Sequence, residues 1–161
     1  MAVYFLDSSA VVKRYIREAG TAWIINTTNP SAGNRIYLAR ITGVEVVSAI
    51  SRQKRAGTLS TTTAETAIAQ FREDLTNQYR VVEMTRLLTE RAMKLAETYA
   101  LRGYDAVQLA AGLEVHTLCQ ILGISPFFLV SADKALNEAG TQEELILVDP
   151  NTPNANGNSA K

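Results

Sequence analysis

YFLDSSAVVKRYIRE, residues 4–18, is the stretch whose reading decides the fold. The run AVYFL (2–6) is apolar and rich in β-formers, and it stops on a carboxylate, Asp7. The pattern then changes to helical spacing, with Val11, Val12, Tyr15 and Ile16 on one face and Gly20 at its end. A short strand without polar alternation is buried on both faces, as in a parallel sheet. A charge at the end of such a strand has two readings. It caps the helix that follows, a contribution of about 1 kcal/mol, or it binds a cation or a phosphate. Asp7 taken alone fits both equally.

The rest of the chain repeats the strand–helix alternation. TAWIINTTN (21–29) is a short helix stopped by Pro30, and RIYLA (35–39) is a strand. TGVEVVSAISRQKRAG (42–57) is helical, with Gly57 just past a basic last turn. STTTAETAIAQFREDLTNQY (60–79) opens on cap-like hydroxyls before a helix, and RVVEM (80–84) is a strand. An amphipathic helix over 85–101 precedes a mostly apolar one, GYDAVQLAAGLEVHTLCQIL (103–122). FFLVS (127–131), ADKALNEA (132–139) and LILVD (145–149) give strand, helix, strand. Short apolar strands separated by helices predict an α/β fold, a three-layer α/β/α sandwich with a central parallel sheet. One domain over 1–150 is expected. The polar residues 151–161, rich in Asn with a further Pro and Gly, are expected to be a disordered tail.

Composition narrows the function classes. The 161 residues are 47% apolar, as in a globular domain, and the formal net charge is zero. Zero charge supplies no global attraction to nucleic acid or anionic lipid, so either role must rest on a local patch. One cysteine, Cys119, and one histidine, His116, form neither a disulfide nor a zinc site. A reducing cytoplasm fits. No secretory signal is visible, and no segment reaches the ~20 apolar residues of a membrane helix.

In parallel sheets, ligands sit at the carboxyl ends of the strands, and the acids gather there. Asp7 follows the first strand and Asp133 follows FFLVS, with Ser131 as a rival cap. Asp105 opens the apolar helix, where it complements the helix dipole or stands partly desolvated and needs a cation or donors. Glu45 lies inside ITGVEVVSAIS, with Ile41, Thr42, Ser48 and Ala49 one turn away. It is not a cap: it pairs, for instance with Arg52, or it faces a shared polar site. Four acids without His or Cys suit a hard cation, Mg²⁺ or Mn²⁺. Lys13, Arg14, Arg17, Arg52, Lys54, Arg55 and Arg102 are available for phosphate, although most fit an ordinary solvated helix face or surface pairing with Glu18.

At these residues the chain resembles the PIN-domain ribonucleases, and among them the VapC-like toxins of toxin–antitoxin systems. The similarity runs from Val3 to Pro150 in four ordered blocks: FLDSSAVVKRYIRE, ITGVEVVSAISR, LRGYDAVQLAAGLE, and FFLVSADKALNEAG followed by LILVDP. The resemblance implies Mg²⁺- or Mn²⁺-dependent endonuclease activity on RNA. It implies Asp7 and Asp105 as principal metal ligands. Glu45 and Asp133 would complete the acidic pocket by binding metal or orienting its water. Ser131, and also Ser8 or Ser9, would position the acids through hydrogen bonds. It further implies a small antitoxin as partner and a homodimer, in the cytoplasm and without a membrane. Trp23, Tyr15 and Ile24 are candidate anchors for the antitoxin, or else complete the core.

Other readings remain. A haloacid dehalogenase-type phosphatase needs an Asp two residues after Asp7, where Ser9 stands. A receiver domain needs an early acid pair, which is missing. A PIN-like protein-binding module without activity, or a PIN nuclease of RNA processing without an antitoxin, stays open.

Overall fold

Five short strands form where the apolar runs predict them. In the computed structural model, which describes residues 1–153, they are β1 (Val3–Leu6), β2 (Arg35–Ala39), β3 (Arg80–Val82), β4 (Phe127–Val130) and β5 (Leu147–Val148). All pairings are parallel, in the order β3-β2-β1-β4-β5. Order therefore reverses at β1, which lies between β2 and β4. The carboxyl ends of β1 and β4 flank this switch point, the usual ligand position in such a sheet.

Side chains alternate across the strands and feed two cores. Val3 and Phe5 of β1, with Phe127 and Leu129 of β4, face α5 (Arg86–Tyr99), α6 (Gly103–Leu122) and α7 (Lys134–Gln142). Leu6, Ile36, Leu38 and Val130 face the other layer: α1 (Ser8–Val11), α2 (Thr21–Thr28), α3 (Thr42–Arg55) and α4 (Thr61–Asn77). The result is the expected three-layer α/β/α sandwich. Helix α6 approaches the sheet closely at Gly112, where an added Cβ would lie 2.5 Å from Leu129 Cδ1. No helix among the described residues is long and apolar enough to cross a membrane.

The first helix is shorter than its periodicity predicts. It covers Ser8–Val11, continues as one 3₁₀ turn over Val12–Arg14, and ends. Tertiary polar contacts take the following side chains elsewhere. Arg14 Nε lies 3.2 Å from Asp74 Oδ2, and its Nη1 donates to the Thr28 carbonyl at 2.8 Å. Tyr15 donates to Asp74 Oδ2 at 2.7 Å. Gly20 does not end this helix; it opens α2 with φ of 88°, and the Pro150 carbonyl passes where its side chain would be. Ile24 is fully buried in the core and cannot anchor a partner, whereas Tyr15 and Trp23 line a surface groove with Arg17 and Pro150. Residues 151–153 form a turn, in which the Thr152 N–H donates to the Asp149 carbonyl. The remainder of the expected tail lies outside the described residues.

Candidate active site

Each of the four acids is delivered by the end of an element. Asp7 leaves β1 as the N-cap of α1, and Asp133 follows β4 as the N-cap of α7. Glu45 and Asp105 lie in the first turns of α3 and α6, which belong to opposite helical layers. All four line one cavity of about 450 Å³, together with Ser8, Ser9, Arg52, Arg102, Gly103 and Tyr104.

Asp7 is the most constrained. It is 2% exposed. Its Oδ1 accepts from the Ala10 N–H at 2.9 Å and from Ser9 Oγ at 2.7 Å, and its Oδ2 accepts from Ser131 Oγ at 2.7 Å. Burial dominates its titration and lifts it from 3.8 to about 6. Donation by Ser131, Ser9 and the Ala10 N–H opposes the rise, and the Glu45 charge adds to it. The two serines also bind the far strand end. Ser9 Oγ accepts from the Ala132 N–H and Ser131 Oγ from the Asp133 N–H, each at 2.9 Å. Asp133 Oδ1 in turn accepts from the Leu136 N–H at 2.9 Å. Ser8 lines the same cavity and helps to hold the Glu45 pKa down.

Glu45 does not pair with Arg52; it faces the shared polar site. Its Oε2 accepts from Gln108 Nε2 at 2.6 Å. Gln108 is buried on α6, and its Nε2 also donates to Thr42 Oγ1 of α3 at 2.9 Å. This amide joins the two helical layers over the sheet edge. Burial raises the Glu45 pKa, and Asp105 adds to the rise; Gln108, Ser8 and the Arg102 charge oppose it. Sequence reasoning missed Gln108. Its signal was a polar residue three positions after Asp105, within an otherwise apolar helix face.

Arg102 joins the other two acids. Its Nε donates to Asp105 Oδ2 at 2.8 Å and its Nη2 to Asp133 Oδ2 at 2.9 Å. Of the basic residues considered from sequence, Arg52 and Arg102 reach the cavity. Lys13 instead pairs with Glu18, Arg14 with Asp74 and Lys54 with Glu65.

In kind, the donors fit Mg²⁺ or Mn²⁺: four carboxylates, surrounding hydroxyls, and no thiolate or imidazole. In placement, the acids are spread around the cavity wall. Among the described residues no three His, Cys, Asp or Glu side chains stand together as a ready ligand set. Asp105 and Asp133 are spanned by Arg102.

No family model matches the chain, and no curated protein matches it. Solved structures do. VapBC2 from Rickettsia felis, bound to a DNA fragment from its promoter, matches with a TM-score of 0.59 at 14% identity over 90% of this chain and 96% of that one. PAE2754 from Pyrobaculum aerophilum matches with a TM-score of 0.57 at 18% identity over 86% and 84%. FitAcB from Neisseria gonorrhoeae matches with a TM-score of 0.54 at 12% identity over 91% and 97%. Likeness at such identities concerns the fold. With its all-parallel five-stranded sheet between two helical layers, the chain has the three-layer PIN-like fold that its sequence blocks imply.

Proposed function

We propose that this protein is a Mg²⁺- or Mn²⁺-dependent endoribonuclease and the toxin of a toxin–antitoxin pair, working in the cytoplasm. One observation carries the reading: Asp7, Glu45, Asp105 and Asp133 come from four separate elements and line a single cavity at the sheet's switch point. A buried carboxylate such as Asp7 is costly to ionise without a cation nearby. A bound divalent cation would activate water and stabilise the leaving oxygen in phosphodiester hydrolysis.

The chain's own groups have separable tasks. Asp7 and Asp105 would hold the cation, and Glu45 and Asp133 would complete its surroundings. Ser9 and Ser131 fix both Asp7 oxygens by donating to them. Gln108 fixes Glu45. Arg52, exposed on α3 and lining the cavity, would meet a phosphate of the substrate.

An antitoxin partner is supported by the fold neighbour VapBC2. The groove beside Tyr15 and Trp23 is a place for its chain, and a homodimer is the proposed assembly. The test is RNA cleavage by purified protein. Asp105→Asn is expected to abolish it while circular dichroism stays unchanged, and unchanged cleavage would refute the assignment.

A further inference from the structure

Arg102 stands where helix electrostatics disfavour a cation. It is the N-cap residue of α6, and its guanidinium reaches Asp133, the N-cap of α7. Both helix ends carry partial positive charge. The two carboxylates therefore hold it there, through charge-assisted bonds of 2.8 and 2.9 Å. Nothing buries it: the Arg102 side chain is 78% exposed, against 15% for Asp105 and 24% for Asp133. A solvated arm thus bridges two acids that are themselves mostly covered. Arg52 lines the same cavity and forms no ion pair among the described residues.

We propose that Arg102 is a resident counter-ion, which a divalent cation must displace from Asp105 and Asp133 before it occupies the acidic cavity. The proposal rests on the cation reading above and adds its regulation. With Arg102 in place, the four acids keep a compensating charge when no cation is bound. The same contact lowers the fraction of molecules competent to bind, and apparent affinity falls by that fraction. Displacement frees the guanidinium at the cavity mouth, within reach of an incoming phosphate.

The test is direct Mn²⁺ binding to the full chain, followed by the paramagnetic resonance of free Mn²⁺ at constant ionic strength. Wild type, Arg102→Gln and Arg52→Gln are compared. Each variant removes one positive charge from the same cavity, but only the first removes a contact with the acids. Arg102→Gln is expected to bind Mn²⁺ about five-fold more tightly than wild type, the scale of two solvent-exposed ion pairs. Arg52→Gln is expected to gain clearly less. Equal affinity of wild type and Arg102→Gln would overturn the proposal, as would an equal gain in both variants, which would mark a general field effect. Either result leaves the cation site standing. Absence of Mn²⁺ binding in wild type and Arg102→Gln alike would remove the cation reading, and this proposal with it.

Discussion

Ser131 Oγ donates to Asp7 Oδ2 at 2.7 Å, joining residues 124 positions apart. The bond ties the end of β4 to the end of β1, and the same oxygen accepts from the Asp133 N–H. One hydroxyl thus fixes one acid and the backbone of another.

Ser131→Ala removes a donor from a buried carboxylate and leaves the Asp133 N–H without its acceptor. A loss of about 1–3 kcal/mol is expected. The Asp7 pKa moves further up, because Ser131 is the strongest group now holding it down. The destabilisation is therefore larger at pH 8, where Asp7 is ionised, than at pH 5. Urea unfolding at the two pH values checks this; an equal loss at both would show that the bond does not serve the charged form.

Asp7 also sets a pH dependence for the cation-free protein. Its folded pKa of about 6 exceeds the ordinary 3.8. Between these values the folded state binds more protons than the unfolded state, so this group's contribution to stability falls as pH rises. About one unit above pH 6 the cost is complete, on the order of 3 kcal/mol. Asp7→Asn lacks the charge. The variant is expected to exceed wild type in stability at pH 7.5 without divalent cation, with the difference closing towards pH 4. A difference independent of pH would show that Asp7 is not desolvated as described.

Gly112 places α6, and with it Asp105 and Gln108. Gly112→Ala drives a methyl into Leu129, which is fully buried and packs beside Phe5. Overpacking of this kind costs about 1–3 kcal/mol. A thermal melt lowered by several degrees is expected, and an unchanged melt would show that the helix has room to move.

The strands and the acids were legible because both follow local rules. A short apolar run marks a doubly buried strand, and its last residue marks the sheet edge. Asp7 and Asp133 were found that way, and Glu45 by being an acid on an apolar helix face. What stayed hidden depends on partners far apart in sequence. The first helix is shorter than its periodicity, and the contact between Tyr15 and Asp74, 59 positions apart, has no local signature. In the sequence Arg102 is one of seven basic residues available for phosphate, and only its i,i+3 bond to Asp105 and its bond across to Asp133 set it apart. Gln108 has the same origin: only the meeting of α3 and α6 gives its amide a purpose.

The ends of the cleaved RNA test most directly the proposed hydrolysis with the aid of a divalent cation at these four acids. Purified wild type is incubated with RNA in Mg²⁺ or Mn²⁺, and in parallel with a chelator. Attack by water with the 3′-oxygen leaving predicts 5′-phosphate and 3′-hydroxyl ends, and no cleavage with chelator present. Cyclic 2′,3′-phosphate ends, or cleavage that persists in the chelator, would contradict it.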